Sequence, residues 1–197
     1  MANIVENYVS NNYQKSKTKK QIILTHTSRN ITVYLNSVLY SNNGDYDKVP
    51  NFVISRNGDV YKLLPDNAYT NFFKKTDMNK NSVIITLENL GWLEKIPIET
   101  GFVNWIGDIY NGDIYEKKWR DYFYWQPYTQ DQINSCIDVI REVTNSLNIN
   151  QKFIGHNTKI DYAEKYEGVI TYSNFSMEVT SLSPAFDFKF LKNQLEK

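Results

Sequence analysis

Residues 21–27 read Gln-Ile-Ile-Leu-Thr-His-Thr, a short, mainly apolar run that ends at a histidine, His26. A short apolar run bounded by polar residues is typical of a strand that is buried on both faces of a sheet. Residues 10–20 before it are polar, rich in lysine and without periodicity, which predicts a solvated arm. We therefore expect a polar N-terminal arm over residues 1–20 and one domain over residues 21–197.

Strands and helices alternate along the rest of the chain. Asn57 and Gly58 separate two strand-like runs, and Asn-Gly at such a place is the strongest short-range signal for a hairpin. The clearest helix covers residues 129–147, where apolar side chains recur at helical spacing. The other predicted elements are a helix over 31–40 capped by Ser28 or Asn30, strands at 83–87, 153–155 and 169–171, and a terminal helix over 187–196. This order predicts an α/β domain with a mixed central β-sheet flanked by helices.

Composition excludes several classes of partner and site. The chain has 197 residues, 41% of them hydrophobic, which suffices for the core of one domain. Basic and acidic residues number 22 each, so charge gives no basis for expecting a nucleic-acid or membrane partner. The single cysteine, Cys136, rules out an internal disulfide. It falls on the apolar side of the predicted 129–147 helix, which indicates a buried, inert thiol.

The sequence also suggests where the protein is made. No segment reaches the ~18 apolar residues of a membrane span, and residues 1–20 lack the apolar core of a signal peptide. We expect a product made in the cytoplasm that reaches a cell wall through lysis or through packaging into a virion. Abundant Asn, Lys, Ile and Tyr with few Gly and Ala suggest an AT-rich coding sequence, which is compatible with a phage.

Residues 92–128 hold an unusual concentration of aromatic side chains. All four tryptophans lie there: Trp92, Trp105, Trp119 and Trp125. Aromatic faces can stack on sugar rings or contact a partner protein, which makes Trp105, Trp119 and Trp125 candidates for ligand binding. The alternative is that a long insertion packs these side chains onto its own sheet.

Three motifs together resemble a known family. They are residues 21–27, residues 168–174 (Gly-Val-Ile-Thr-Tyr-Ser-Asn) and residues 181–188 (Ser-Leu-Ser-Pro-Ala-Phe-Asp-Phe). Through them the chain resembles the zinc-dependent type 2 N-acetylmuramoyl-L-alanine amidases, which include phage lysozyme-type amidases and peptidoglycan recognition proteins. The resemblance implies the α/β fold of that family, with the aromatic segment as an insertion.

The same resemblance implies a zinc site in which ligands have been replaced. His26 matches the first zinc ligand of the family, whereas Tyr172 and Ser181 occupy the positions of the second and third. A neutral tyrosine is a poor zinc ligand, and a serine hydroxyl is a poorer one. Thr86 stands where the family carries its catalytic glutamate, and Val179 stands where members often carry a lysine beside the last ligand.

A second way of matching the sequence to the family retains two histidines as zinc ligands. The Gly-His pair at His156 resembles the pair that carries the second ligand in some members, so His26 and His156 would together bind zinc. The candidates for a third ligand are then Glu88, Asp161 and Asp187. Glu88 shares a strand face with Thr86, because side chains alternate with period two, and it could also act as general base.

These alternatives lead to three functional hypotheses. The first is a phage-derived, catalytically degenerate amidase-like protein without a cofactor, kept for recognition of peptidoglycan or muramyl peptide, or for a structural role beside other virion proteins. The second is an active zinc-dependent amidase with a rearranged ligand set. The third is a protein–protein interaction module that uses residues 92–128.

Overall fold

The computed structural model describes residues 4–6, 13–41, 47–96 and 101–196. The strands are β1 (Ile4–Glu6), β2 (Gln14–Lys15), β3 (Gln21–His26), β4 (Phe52–Ile54), β5 (Val60–Lys62), β6 (Ala68–Tyr69), β7 (Ser82–Leu87), β8 (Trp92–Lys95), β9 (Phe102–Val103), β10 (Ile109–Tyr110), β11 (Tyr115–Trp119), β12 (Tyr122–Trp125) and β13 (Gly168–Thr171). The α-helices are α1 (Ile31–Tyr40), α2 (Thr76–Asn81), α3 (Gln130–Leu147) and α4 (Phe188–Leu195). Short 3-10 helices cover Ala163–Lys165 and Tyr172–Asn174.

The central sheet is mixed, with its described strands in the order β1-β5-β4-β7-β3-β13. β3 lies between two parallel neighbours, β7 and β13, which accounts for its apolar side chains on both faces. β4 and β5 pair antiparallel across the Asn57-Gly58 turn, where Gly58 adopts φ +86. The predicted buried strand and the predicted hairpin are confirmed.

Helices cover both faces of this sheet. α3 and α4 pack with Ile22 and Leu24 of β3 in the main hydrophobic core, and α1 packs its Val38 against Val53 of β4 on the other face. Asn30 caps α1 and Thr129 caps α3 through their side-chain oxygens. The predicted mixed α/β fold flanked by helices is therefore confirmed. Cys136 is fully buried on α3 as expected, and burial raises the pKa of its thiol to about 12.

The aromatic segment forms a second sheet, which is antiparallel and has the order β10-β9-β8-β12-β11. Trp125 is fully buried in it and donates from Nε1 to the Lys117 carbonyl at 2.8 Å. Trp92 stacks on Tyr122 with the ring centroids 4.5 Å apart. Part of the aromatic segment thus packs onto its own sheet.

The N-terminal segment differs from the solvated arm that we expected. β1 pairs with β5 at the edge of the central sheet and β2 pairs with β6. Lys19 is buried, and its amine donates to the carbonyls of Ala68 at 2.8 Å, Asn79 at 3.3 Å and Ser82. Neither strand pairing through backbone groups nor a lysine bonded to carbonyl oxygens requires a periodic pattern of apolar residues. The sequence therefore did not predict them. The rest of the arm, residues 1–3 and 7–12, lies outside the described residues, and the domain boundary stays a prediction.

None of the helices in the described ranges combines the length and the apolar character that a membrane crossing requires.

Candidate functional site

The three predicted ligand positions line one cleft at the end of β3. Leu24 pairs with Thr171 in the register, so His26, at the end of β3, and Tyr172, directly after β13, lie at the same end of the sheet. Between them lies a cleft of about 230 Å³, which we call the His26 cleft. It is lined by His26, Thr25, Ser28, Lys48, Tyr172 and Ser181, with Tyr34, Phe72 and Val179 completing the walls.

Ser181 is buried against the end of β3. Its hydroxyl oxygen accepts a hydrogen bond from the backbone N–H of His26 at 2.7 Å and lies 2.9 Å from the hydroxyl of Thr25. The Ser181 carbonyl in turn accepts the backbone N–H of Ser173 at 2.7 Å. The Ser181 hydroxyl therefore makes structural hydrogen bonds to the end of β3. It does so at the position that the resemblance assigns to a metal ligand.

His26 is held as a neutral imidazole. Its Nδ1 lies 3.3 Å from the hydroxyl of Tyr128, and burial lowers the pKa of His26 to about 4. Gly91 allows the ring this position: a Cβ at residue 91 would lie 3.0 Å from the His26 Cε1 atom and 3.3 Å from Nε2. Burial also raises the pKa of Tyr128, so its hydroxyl keeps its proton.

Tyr172 belongs to an aromatic cluster. Its ring meets Phe73 edge-on with centroids 5.1 Å apart and stacks on Phe175 at 5.1 Å. Burial raises the pKa of Tyr172, which keeps the phenol protonated at neutral pH.

This set of donors does not fit a catalytic zinc. Such an ion takes three ligands drawn from His, Cys, Asp and Glu, whereas the cleft offers one neutral imidazole, one protonated phenol and a hydroxyl already engaged. In the described parts of the chain no three side chains of the suitable types are grouped to hold a metal.

His156 lies elsewhere, stacked between aromatic rings. Its ring is 4.1 Å from that of Phe188 and 4.6 Å from that of Trp119. Nε2 lies 3.0 Å from the carbonyl oxygen of Leu182, and because a carbonyl only accepts, Nε2 carries the proton. His156 is not among the residues that line the His26 cleft, so the structure does not bring the two histidines into one cleft.

The carboxylates proposed as a third ligand have structural partners. Glu88 accepts the backbone N–H of Ile31 at 2.9 Å and that of Arg56 at 2.8 Å, which fixes the start of α1 against the β4–β5 turn. Asp187 caps α4 by accepting the N–H of Phe190 at 2.8 Å, and Asp161 lies 3.5 Å from the amine of Lys159.

Thr86 is buried on β7 opposite Thr25. Its hydroxyl oxygen has no hydrogen-bond partner among the described residues. Neither Thr86 nor Glu88 lines the His26 cleft, so the residues at the family's acid–base strand offer no exposed carboxylate there.

The three candidate tryptophans have different environments. Trp105 is 51% exposed, and its Nε1 donates to the carbonyl of Ser28, a residue of the His26 cleft, at 3.2 Å. Trp119 donates to the side-chain oxygen of Asn157 at 3.0 Å and stacks on His156. Trp125 is fully buried. Of the three, Trp105 offers an open aromatic face near the cleft.

The sequence did not predict two features near the cleft, the contacts of Arg120 and a second pocket. Arg120, in the β11–β12 turn, donates to the carbonyls of Ser173 at 3.0 Å, Ser176 at 3.3 Å and Val179, and so ties the insertion to the loop between Tyr172 and Ser181. A larger pocket of about 550 Å³ shares Lys48, Phe72 and Tyr172 with the His26 cleft. Its other charged residues are Lys74, Lys75, Asp161, Glu164 and Glu178. An isolated arginine and scattered lysines carry no local sequence signal for either role.

A mixed sheet with helices on both faces, and a cleft where parallel strands end, describe an α/β domain, and solved structures of amidases share this fold. The amidase LysC from Clostridium intestinale matches with a TM-score of 0.60 and 16% identity over 100% of this chain and 99% of that one. AmiD from E. coli, solved with an anhydromuramyl tripeptide substrate, matches with a TM-score of 0.55 and 14% identity over 92% of this chain and 58% of its own. A drosophila peptidoglycan recognition protein, SD, matches with a TM-score of 0.54 and 11% identity over 94% and 91%.

The chain belongs to the N-acetylmuramoyl-L-alanine amidase family, because the family model of that description matches residues 11–167. The matched region includes His26 and His156 and ends before Tyr172 and Ser181. A search of curated protein sequences gives no significant match.

Proposed function

We propose that this protein is a metal-free member of its family that recognises peptidoglycan without hydrolysing it. The observation that carries the proposal is the Ser181 hydroxyl, which is bonded to the His26 backbone in the place of a zinc ligand. Tyr172, in the place of the second ligand, is a protonated phenol packed among phenylalanines.

The chemistry of hydrolysis supports the same conclusion. Zinc amidases need an ion that lowers the pKa of a water molecule and polarises the scissile carbonyl, together with a group that moves protons. Among its described residues the His26 cleft contains no carboxylate, and His26 is neutral with its Nδ1 facing Tyr128. Glu88 is engaged by two backbone N–H groups.

Retention of the cleft favours a binding role. Solved structures of this fold include AmiD with a muramyl tripeptide and a peptidoglycan recognition protein complex bound to tracheal cytotoxin. In this chain the same fold keeps an open cleft where the ligand positions meet. We infer that the cleft binds a muramyl compound.

Co-sedimentation with purified sacculi tests this function, with release of stem peptides measured in parallel. We expect the protein to pellet with sacculi and to release no peptide, with or without added zinc. Peptide release that a chelator abolishes would establish instead an active amidase with a rearranged ligand set. Absence from the pellet would refute recognition of peptidoglycan.

A structural role in a virion is a second candidate, supported by the exposed face of the insertion. Ile109, Tyr115 and Phe123 are exposed apolar side chains of the second sheet, and such groups are enriched in protein interfaces. We expect a Phe123→Ser and Ile109→Ser double variant to keep sacculus binding and to lose assembly with phage structural proteins. Unchanged assembly would refute this role.

A further inference from the structure

We propose that the His26 cleft binds a carboxylate carried on a sugar, namely the free lactyl carboxylate of muramic acid in glycan strands that have lost their stem peptides. This inference rests on the proposed function and specifies its ligand. The observations that support it are the charge of the cleft, the hydroxyl groups around it, and the exposed indole at its rim.

The charge of the cleft favours an anion. Lys48 is the one charged side chain among the described residues that line it. Lys48 makes no ion pair within the described ranges. An ammonium that forms no ion pair attracts an anionic ligand and disfavours a cationic one.

The neutral groups of the cleft suit the same ligand. Ser28 and Tyr172 each contribute a hydroxyl to the lining, and a hydroxyl can donate to a carboxylate oxygen. Hydrogen bonds to an ionised acceptor are roughly twice as strong as those between neutral groups. The lining of the cleft therefore favours a ligand that carries an ionised acceptor.

The charge of the lactyl group depends on whether its peptide is present. In a peptide-bearing strand the lactyl group is part of a neutral amide, as the name of the N-acetylmuramoyl-L-alanine linkage states. Removal of the peptide by hydrolysis leaves a carboxylate at the same atom. A cleft whose charged group is an ammonium is complementary to that carboxylate rather than to the amide.

The sugar ring has its own surface. Trp105 is fixed beside the cleft by the hydrogen bond from its Nε1 to Ser28, and the guanidinium of Arg29 lies 5.9 Å from the centre of its ring. The other face of an exposed indole can pack against the C–H groups of a pyranose. Trp105 therefore offers an aromatic surface beside Ser28, which lines the same cleft as Lys48.

The larger pocket lacks this selectivity. It combines lysines with carboxylates, and two of them, Lys75 and Glu164, pair at 3.4 Å. Opposite charges within one pocket compensate each other, so its field does not favour an anion. The preference for a carboxylate is assigned to the His26 cleft.

Binding to soluble glycans of defined chemistry tests this inference. The probes are muramyl glycan strands with their peptides, the same strands after complete enzymatic removal of the peptides, chitin oligosaccharides without a carboxylate, and alginate oligosaccharides as a different source of sugar carboxylate. The variants are Lys48→Met, Lys48→Arg and, as the matched control, Lys189→Met on α4. Isothermal titration gives the dissociation constants, and thermal melting confirms that each variant is folded.

We expect the stripped strands to bind about tenfold more tightly than the peptide-bearing strands, the difference that one charge-assisted contact supplies. Lys48→Met should abolish that preference, whereas Lys48→Arg and Lys189→Met should keep it. Chitin and alginate should bind more weakly than stripped strands.

Several results would overturn the inference. Equal binding of both muramyl strands, or tighter binding of the peptide-bearing one, would refute it while leaving peptidoglycan recognition intact. A preference that survives Lys48→Met would also refute it, as would alginate binding as tightly as stripped strands. If neither muramyl strand binds, the proposed function fails as well.

Discussion

At the scale of single residues, Ser181 and Tyr172 decide whether the His26 cleft can hold a metal. Both line the cleft with His26, and both carry groups that are neutral at pH 7. The sequence singled out both positions through its resemblance to the family, and their correspondence to metal ligands stays a prediction. It could not predict that the Ser181 hydroxyl bonds the His26 N–H, because that contact joins residues 155 positions apart.

Rebuilding the ligands should therefore create a zinc site. In the double variant Tyr172→His with Ser181→Asp, a carboxylate and a second imidazole stand beside His26. We expect zinc to bind and, at about 100 times its dissociation constant, to stabilise the fold by about 2.7 kcal/mol. Calorimetric titration and melting with and without zinc measure this, with Tyr172→Phe and Ser181→Ala as the paired control. A variant that folds but does not bind zinc would refute the assignment of Tyr172 and Ser181 to the second and third ligand positions. His156 would then be tested as the second ligand.

The two histidines should make stability depend on pH. Burial lowers the pKa of His26 and of His156 from 6.5 to about 4. Between those values the unfolded chain binds protons that the folded chain does not, so stability is complete above pH 6.5 and falls as the pH decreases towards 4. Denaturant unfolding at several pH values measures the slope. His156→Phe keeps an aromatic ring between Trp119 and Phe188 and should make the slope shallower. An unchanged slope would show that His156 does not contribute.

At the scale of elements, the insertion both supports the site and presents a surface. Its aromatic content was evident in the sequence, but its sheet was not, because β9 and β10 have two residues each and β11 pairs irregularly with β12. Such short strands form through pairing with neighbours rather than through periodicity. The role of Arg120 depends on three carbonyls that lie more than 50 residues away.

Removing the Arg120 side chain should loosen the loop between Tyr172 and Ser181. Its guanidinium satisfies three carbonyls there, and losing it should cost roughly 2 kcal/mol. We expect Arg120→Ala to speed hydrogen exchange in residues 173–181, and Lys118→Ala on the neighbouring strand to have no such effect. Unchanged exchange in Arg120→Ala would show that the loop is fixed by other contacts.

Two tryptophans of the insertion should respond in opposite ways to alanine substitution. Trp125 is fully buried, so Trp125→Ala should lower stability by about 3–5 kcal/mol. Trp105→Ala should melt nearly as the wild type and bind sacculi more weakly by about thirty-fold, which corresponds to a binding hot spot of roughly 2 kcal/mol. Thermal melting and sacculus pull-down separate the two effects. Trp105→Ala with full sacculus binding would exclude Trp105 from the ligand surface.

At the scale of the whole molecule, periodicity and turn chemistry were enough to predict the central sheet and its helices, but not the second sheet. The buried run at β3, the Asn57-Gly58 turn and the apolar stripe of α3 each predict a local structure, and the alternation of strands and helices predicts the mixed sheet between helices that the structure shows. The N-terminal pairing escaped prediction because edge strands depend on backbone groups that their partners leave free. The residues that line the His26 cleft, including Lys48, come from segments that are distant in sequence. No local pattern therefore predicts the cleft or its charge.

The zinc content of the purified protein tests the central claim most directly. The chain is produced with zinc in the medium, dialysed without chelator, and measured by mass spectrometry for metal per chain. A site made of one neutral imidazole, a protonated phenol and an engaged hydroxyl predicts far less than one zinc per chain. One tightly bound zinc per chain, with peptide release from sacculi that a chelator abolishes, would contradict a metal-free binding protein. It would show that the protein is an active zinc-dependent amidase.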